Sequence, residues 1–265
     1  MKQVIGIDIG GTKITGIVYD GRKVIGELTI KTPKTLFELE RNLYKLIDFL
    51  SSDNKIFGIG VGSAGTANTK TGWISFSSNI FRPRKGLNLV KLLKARYKVG
   101  VKIDNDTSCF TRAEMLLGQG KNYTDFLGVI LGTGVGGGIV ADKKLYRGFN
   151  NGGAEFGHMV FDKGFFEEHY FQPARRSNNY KLLAKQLGRF FASLVNLFAP
   201  QAIILGGGVS LNAGKKFLPG AKREMKNFLY NPEAQPKILV SKLKNAGALG
   251  AALMLVPAKA GINKI

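Results

Sequence analysis

The order of hydrophobic and polar positions predicts a chain in which strands and helices alternate. Short apolar runs bounded by turn residues, such as 56–61, are typical of strands. Leucine and isoleucine recur three and four residues apart over 36–50, which predicts an amphipathic helix. By these criteria we predict strands at 4–8, 14–18, 23–30, 56–61, 101–104, 125–131, 135–141, 202–205 and 237–240, and helices at 36–50, 87–97, 107–117, 180–198, 213–230 and 246–255.

One pattern of elements occurs twice. A strand, a glycine-rich turn, a strand, a second turn and a third strand begin at Val4 and again at Asp125. A weak internal repeat of this kind predicts an α/β fold of two similar lobes, with a ligand cleft between them. We expect one lobe to cover 1–107 plus 245–265 and the other to cover 108–244. A polar loop is predicted at 62–79, and we expect a loop of that length to be functional.

Composition narrows the class of protein. The chain has 265 residues, of which 44% are hydrophobic and 22% charged, as in globular proteins. Its apolar runs are shorter than a membrane span needs, and the first strand leaves no room for a signal peptide. Cys109 is the only cysteine, which excludes a disulfide within the chain. We therefore expect a cytoplasmic protein.

The charge is strongly positive. There are 39 basic against 18 acidic residues, a net charge of +21, and the excess is spread along the chain. A diffuse excess attracts polyanions without selecting a sequence, so we expect non-specific polyanion binding and no specific nucleic-acid partner. The alternative is a soluble, lysine-rich surface with no such role.

The first glycine turn carries candidate phosphate chemistry. Gly10 and Gly11 leave the backbone open to a bound anion, and Thr12 and Lys13 add a hydroxyl and a positive charge. Asp8, at the end of the preceding strand, is placed to hold a cation that accompanies phosphate. The alternative is an ordinary tight hairpin turn.

Two further glycine clusters follow apolar strands. The two hairpin turns would grip a triphosphate, and the cluster before a helix would accommodate a base and ribose. The three clusters are Gly10-Gly11, Gly132-Thr133-Gly134 and Gly206-Gly207-Gly208.

Five motifs in order resemble the ROK family (repressor, open reading frame, kinase) over nearly the whole chain. They are IGIDIGGTKITG, IDND, LGTGVGGGIV, GGAEFGHMV and IILGGGVS. The resemblance implies the actin-like ATPase (ribonuclease H-like) fold and a sugar kinase that uses ATP and Mg²⁺. Its implied substrate is a hexose, with glucose phosphorylated at the 6-hydroxyl, and such proteins are commonly homodimers.

The resemblance also implies residue roles. Asp106 corresponds to the general base that takes the proton of the sugar hydroxyl, and Asn105 to a sugar ligand. Glu155 and His158 correspond to further sugar contacts, and their spacing places them on one side of a helical turn. The alternatives are that Asn105 and Asp106 cap the next helix and that His158 is a core histidine.

Three assignments rest on looser matches. Gly65 and Asn79 correspond to the wall of the sugar site. Glu168 aligns with a third sugar-binding acid, and Glu167 is an equal candidate in a shifted register. Many relatives carry a cysteine-rich zinc motif after the histidine, whereas residues 161–168 contain no cysteine. We therefore expect no zinc site, with apolar packing by Phe165, Phe166, Tyr170 and Phe171 in its place.

Two alternatives to an ATP-dependent kinase stay open. One is a polyphosphate-dependent glucokinase, which the positive charge would suit. The other is a non-catalytic sugar-binding regulator of the same family. Such regulators carry an N-terminal helix-turn-helix domain, for which the chain before Val4 has no room.

Overall fold

The computed structural model describes residues 3–52, 55–76, 80–81, 85–233 and 235–256. It divides into two compact units. Unit 1 comprises Met1–Ala113 and Lys244–Ile265, and unit 2 comprises Glu114–Leu243. The first boundary lies at residue 113, inside a helix, where the sequence analysis placed it at 107.

The elements alternate along the chain as the hydrophobic pattern indicates. The helices are α1 (Leu36–Ser51), α2 (Leu89–Tyr97), α3 (Asp106–Leu116), α4 (Gln172–Arg176), α5 (Tyr180–Phe198), α6 (Gly207–Lys226) and α7 (Ala246–Ala252). The strands are β1 (Gln3–Ile9), β2 (Lys13–Tyr19), β3 (Val24–Lys31), β4 (Ile56–Ser63), β5 (Gly65–Asn68), β6 (Trp73–Phe76), β7 (Gly86–Asn88), β8 (Gly100–Asn105), β9 (Phe126–Leu131), β10 (Val135–Ala141), β11 (Lys144–Tyr146), β12 (Val160–Phe161), β13 (Gly164–Phe165), β14 (Ala202–Gly206) and β15 (Lys237–Val240).

Unit 1 is built on a five-stranded sheet in the order β3-β2-β1-β4-β8. The first three strands form an antiparallel meander, and β4 and β8 continue the sheet in parallel with β1. Strands β5, β6 and β7 form a separate antiparallel sheet. In parallel strands the side chains of paired residues project from the same face, so each row across the sheet is fixed by its register.

The two faces of this sheet bury different residues. On one face Ile5 and Ile7 join the apolar cluster that includes the leucines of α1. Thr35 is the N-cap of helix α1: its hydroxyl accepts the Glu38 N–H at 3.2 Å and donates to the Glu38 carboxylate at 3.0 Å. The other face, which carries Asp8, packs against α7.

Glycine permits the close packing of α7. A Cβ atom on Gly6 of β1 would overlap the Ala248 carbonyl, and one on Gly60 of β4 would overlap the Ala251 carbonyl. Gly250 of α7 in turn lies against the Cys109 carbonyl of α3. The backbones of two strands and two helices are therefore nearly in contact on this face.

Unit 2 repeats the topology of unit 1. Its sheet runs β11-β10-β9-β14-β15, again an antiparallel meander followed by two parallel strands. The predicted internal repeat is thus present in the fold. The core is aromatic, and its buried phenylalanines are Phe156, Phe166, Phe171, Phe190, Phe191 and Phe217.

Two predictions of secondary structure differ clearly from the structure. The predicted loop at 62–79 contains strands β5 and β6, because its polar residues alternate with the buried Ala67 and Ile74. The helix predicted from residue 213 already begins at Gly207, so two glycines of the third cluster are helical. Residues 156–158 form a 3₁₀ turn before the short strand β12.

Within the residues that the structure describes, no helix combines the length and the apolar character needed to cross a bilayer. The longest, α6 with 20 residues, carries lysine and arginine along its exposed positions.

Candidate active site

The β1–β2 turn exposes its backbone. The Gly10 N–H donates to the Lys13 carbonyl at 3.0 Å, and the Thr32 hydroxyl donates to the Gly10 carbonyl at 2.7 Å. Neither Gly10 nor Gly11 has a left-handed φ, so the turn does not require glycine for its conformation. Gly11, Thr12 and Lys13 are exposed. Glycine leaves the backbone here uncovered by side chains, although the conformation of the turn does not demand glycine. An uncovered backbone suits the close approach of an anion.

Asp8 sits in an unusual electrostatic environment. Its Oδ1 atom is sealed from solvent and has no hydrogen-bond partner. Burial raises the pKa of Asp8 to about 7, the negative charge of Asp106 adds to the shift, and Lys13 partly offsets it. Gly247 of α7 lies directly against the carboxylate, where a Cβ atom would overlap Oδ2. A buried carboxylate oxygen without a hydrogen-bond partner is a group that a bound cation would stabilise.

Asn105 fixes the corner between β8 and α3. Its Oδ1 accepts hydrogen bonds from the Thr107 N–H at 2.8 Å and the Ser108 N–H at 3.1 Å, as a helix cap does. Its Nδ2 donates to the Gly65 carbonyl at 3.0 Å. Gly65 has a φ of 122°, which requires glycine. Asn105 therefore caps α3, as one interpretation of the sequence expected. Its side chain also links it to Gly65, another of the predicted site residues.

Asp106, the first residue of α3, lies close to Asp8. Asp8, Gly62 and Asp104 form one row across the sheet, and a Cβ atom on Gly62 would lie 3.6 Å from the Asp106 Cα. Asp106 is half-buried, and its Oδ1 accepts the Thr107 N–H at 2.9 Å. The structure thus brings together the two carboxylates that the sequence analysis assigned to cation binding and to proton transfer.

The glycine turn of unit 2 contacts an acid that the sequence analysis left as an alternative. The Gly132 N–H donates to the Gly134 carbonyl at 3.0 Å, and Thr133 is exposed between them. The Val135 N–H donates to Glu167 Oε2 at 2.7 Å. Glu167 is therefore fixed against this turn.

Glu168 differs from its neighbour. Its side chain is exposed, whereas Glu167 also accepts a hydrogen bond from Gln172 at 3.2 Å and lies against Gly157 of the GGAEFGH motif. Both acids belong to a π-helical turn, Glu167–Phe171, which directs adjacent side chains apart. Of the two registers, the structure favours Glu167 as the acid that accompanies Glu155 and His158.

Glu155 and His158 pair with each other. His158 Nδ1 lies 3.3 Å from Glu155 Oε2, and the side chains are 48% and 55% exposed for His158 and Glu155 respectively. His158 also makes an edge contact with Phe165, at 5.3 Å between ring centroids. It is not a buried core histidine. Ala154, which precedes Glu155, has a φ of 66°, a strained value for alanine.

The third glycine cluster forms the start of α6. Gly207 has a φ of 83°, and a Cβ atom there would overlap the Leu131 carbonyl. Gly206 occupies the N-cap position, and no side chain caps the helix. The first N–H groups of α6, including that of Gly208, are therefore left to other acceptors.

Asn79 lies outside the described residues. Sequence reasoning missed three residues of this region: Gly62 lies against Asp106, Gly247 lies against Asp8, and Arg112 pairs with the neighbouring Asp104. The only sequence signal for Gly62 and Gly247 is that each is a glycine within a strand or a helix. Such glycines often mark close backbone approach.

Aromatic packing takes up the segment after His158. Phe166 stacks on Phe190 with 4.3 Å between ring centroids, and Phe161 contacts both Phe166 and Tyr170. Among the described residues, no three His, Cys, Asp or Glu side chains group closely enough to hold a metal ion.

Comparison with known proteins defines the class. A crystal structure of a ROK family glucokinase from Streptomyces griseus, in complex with glucose and AMPPNP, superposes with a TM-score of 0.84 at 25% identity, covering 95% of this chain and 98% of that one. The fold is the actin-like ATPase fold of ROK sugar kinases.

The family follows from the sequence itself. The model of the ROK family matches residues 4–174 and 165–258, so the chain belongs to the ROK family. A glucokinase of Streptomyces coelicolor is 28% identical over 310 residues, covering 95% of this chain and 97% of that protein. The inorganic polyphosphate/ATP-glucomannokinase of Arthrobacter sp. strain KM has a structure with a TM-score of 0.79 at 28% identity, covering 96% and 98%.

Proposed function

We propose that this protein is an ATP-dependent hexose kinase that transfers the γ-phosphate to glucose at the 6-hydroxyl. Membership of the ROK family and the relatives named glucokinase support the reaction class. The Streptomyces griseus structure holds glucose together with a nucleotide analogue, which supports this pair of substrates.

One observation carries the proposal: Asp106 lies beside Asp8 at the corner where β8 becomes α3. The negative charge of Asp106 contributes to the raised pKa of Asp8, and the bare Gly62 leaves room for this approach. A base for the sugar and a ligand for the phosphate's cation are thus adjacent. Phosphoryl transfer requires such positioning more than covalent chemistry.

Asp106 acts as the general base. Its carboxylate accepts the proton of the sugar hydroxyl as that oxygen forms a bond to the γ-phosphorus. The bond from the γ-phosphorus to the bridging oxygen breaks, and ADP leaves with the electron pair. Asn105 holds the corner in place by its hydrogen bonds to Gly65 and to the first turn of α3.

Asp8 would hold Mg²⁺, directly or through water. Its buried Oδ1 without a partner and its raised pKa fit a site that is completed by a cation. When bound, Mg²⁺ neutralises charge on the phosphate oxygens. Lys13 and the exposed backbone of the β1–β2 turn supply further positive potential for the same anion.

The remaining residues are assigned by substrate. Glu155, His158 and Glu167 bind sugar hydroxyls: the first two pair with each other, and Glu167 is held by the Val135 N–H against Gly157 of the same motif. The residues assigned to phosphate and nucleotide are Gly10, Gly11, Thr12, Gly132, Thr133, Gly134, Gly206, Gly207 and Gly208.

Asp106→Asn tests the base. We expect glucose-dependent ADP release to fall by about a thousandfold, with less change in the KM for glucose, because the amide cannot accept the proton. Asp20→Asn is the matched control, since Asp20 likewise accepts backbone N–H groups at a turn, from Arg22 and Lys23. Full turnover in Asp106→Asn would refute the mechanism.

Paired variants test the register of the sugar-binding acid. Glu167→Gln should raise the KM for glucose by roughly tenfold, whereas Glu168→Gln should leave it unchanged, because only Glu167 is anchored to the glycine turn. If Glu168→Gln raises the KM and Glu167→Gln does not, Glu168 is the sugar-binding acid.

Polyphosphate is a second candidate donor. The Arthrobacter enzyme named for both donors is 28% identical, and the net charge of +21 suits a long polyanion. Initial rates with ATP and with polyphosphate at equal phosphoryl concentration, measured over glucose, mannose, fructose and N-acetylglucosamine, distinguish the donors and the sugars. Turnover with polyphosphate alone would replace ATP in the proposal.

A further inference from the structure

Unit 1 contains a buried ion pair behind the proposed base. Arg112 of α3 donates to Asp104 Oδ2 at 2.6 Å, and the side chains are 11% and 1% exposed. Asp104 Oδ1 accepts the N–H of Asn105 at 2.9 Å. The carboxylate of Asp104 therefore connects the arginine to the residue directly before Asp106.

The same guanidinium reaches a second helix. Arg112 Nη1 lies 3.4 Å from the carbonyl oxygen of Gly250 in α7 and 3.8 Å from the Cys109 sulfur. Gly250 has no room for a side chain, because a Cβ atom would overlap the Cys109 carbonyl. Arg112 thus joins β8, α3 and α7 where their backbones are closest.

Helix α7 also contacts the proposed phosphate side of the site. Gly247, one turn before Gly250, lies against the Asp8 carboxylate. Asp8 and Asp104 flank Gly62 in one row of the sheet, and Asp106 stands over that glycine. A movement of α3 against α7 would therefore change the distance between Asp106 and Asp8.

We propose that Arg112 is a positioning residue: by binding Asp104 and the Gly250 carbonyl, it sets where Asp106 stands relative to Asp8. The expected effect of Arg112 on kcat rests on the proposed kinase function. Its effect on the position of Asp106 does not. Arginine suits this position because its planar guanidinium can donate to two partners at once and stays charged when buried.

The arginine also balances charge. Three carboxylates, those of Asp8, Asp104 and Asp106, lie close enough to Cys109 to act on its thiol, whose pKa is raised chiefly by burial. Arg112 opposes them at the same thiol. Its pairing with Asp104 places a positive charge directly against one of the three carboxylates.

Steady-state kinetics of Arg112→Met and Arg112→Lys test the proposal. We expect kcat to fall by about tenfold to a hundredfold in Arg112→Met and by less in Arg112→Lys, with the KM for glucose within about threefold of wild type. Arg96→Met is the matched control, because Arg96 pairs with Asp48 at 2.8 Å on the surface. A kcat of Arg112→Met equal to that of Arg96→Met would overturn the proposal.

Asp104 buried without its partner could prevent folding. The paired variant Asp104→Asn/Arg112→Met removes both charges and retains the acceptor for the Asn105 N–H. We expect it to fold with a kcat that stays at least about tenfold below wild type, because the link to Gly250 is missing. A wild-type kcat in the folded paired variant would overturn the proposal.

Hydrogen exchange separates this proposal from the proposed function. If the wild type shows no sugar-dependent turnover with any donor, the kinase proposal fails. The positioning role of Arg112 is then tested by hydrogen exchange at the Asn105 amide. Exchange at that amide at least about tenfold faster in Arg112→Lys than in wild type would support the positioning role. Unchanged exchange, with Arg96→Lys as control, would overturn it.

Discussion

The two units share a sheet topology but differ in what stands at the ends of their strands. In unit 1, β1 carries Asp8 near its end and β8 leads into Asn105 and Asp106. In unit 2, β9 corresponds to β1 and ends at Leu131 before Gly132, whereas β14 corresponds to β4 and ends in Gly206. Strand ends of the same sheet topology therefore carry carboxylates in unit 1 and glycines in unit 2.

The units also use glycine differently. Gly60 of unit 1 is required by packing, because α7 leaves no space for a Cβ atom. Gly132 of unit 2 has no atom within 4 Å of that position and no left-handed φ. Packing therefore accounts for Gly60, whereas neither packing nor backbone conformation accounts for Gly132, which we propose to contact phosphate.

The largest effect should come from Gly60→Ala. Its methyl group would overlap the Ala251 carbonyl and separate α7 from β4, so we expect the free energy of unfolding to fall by more than about 3 kcal/mol. Urea unfolding of the purified protein measures this.

Gly26→Ala in β3 is the control for that variant. A Cβ atom on Gly26 would lie 3.5 Å from the nearest atom, Val18 Cγ2, which is ordinary contact. We expect a change within about 0.5 kcal/mol. Equal losses in the two variants would show that packing against α7 is not what demands glycine in unit 1.

The next effect concerns Asp8 and pH. Its pKa is about 7 in the folded protein against an ordinary value of 3.8, so between these pH values the folded state retains a proton that the unfolded state has lost. This contribution to stability is therefore greatest below about pH 4 and decreases as pH rises, levelling above 7. The slope reaches at most about 1.4 kcal/mol per pH unit.

Asp8→Asn isolates this contribution. Melting curves of wild type and variant from pH 4 to 8, in EDTA and without nucleotide, should diverge as pH rises, with the variant losing less stability. Parallel curves would mean that the Asp8 carboxylate is not buried beside a like charge. The electrostatic difference that we infer between the strand ends of the two units would then be smaller.

A smaller effect is expected for Gly132→Ala. The methyl group meets open space, so the melting temperature should stay within the range of surface substitutions. If the glycine is there for phosphate, the KM for ATP should rise by roughly tenfold, because the methyl group displaces the anion from the backbone. An unchanged KM would assign Gly132 no ligand role.

Much of the fold could be predicted from the sequence, because its signals are local. The leucine spacing of α1 depends only on neighbours in the chain, and the structure confirms the helix that it predicted. The repeat at Val4 and Asp125 predicted the paired topology of the two sheets, since it recorded the order of strands and turns.

The rest depends on contacts between distant segments. Arg112 pairs with Asp104 and Gly250, and Gly247 lies against Asp8 at the far end of the chain; no periodicity indicates such contacts. The choice between Glu167 and Glu168 depends on the hydrogen bond from the Val135 N–H to Glu167, which joins segments 32 residues apart. The family resemblance identified which residues to expect in the site, and the structure shows the contacts that hold those residues in place.

The smallest effect compares two strained alanines within unit 2. Ala199 ends α5 with a φ of 41°, and Ala154 precedes Glu155 with a φ of 66°. Glycine adopts these values without steric cost, so each substitution should raise the free energy of unfolding by about 1 kcal/mol. Ala199→Gly should do so with unchanged kinetics, because it lies at a helix end.

Ala154→Gly should show a second effect that Ala199→Gly lacks. Glycine widens the backbone range directly before Glu155, so the carboxylate is held less firmly for a sugar hydroxyl, and the KM for glucose should rise by a few fold. Calorimetry and steady-state kinetics on both variants measure the two quantities separately. If Ala154→Gly gains stability without any change in KM, the strain at Ala154 has no part in positioning Glu155, and unit 2 contributes that acid through its side-chain contacts alone.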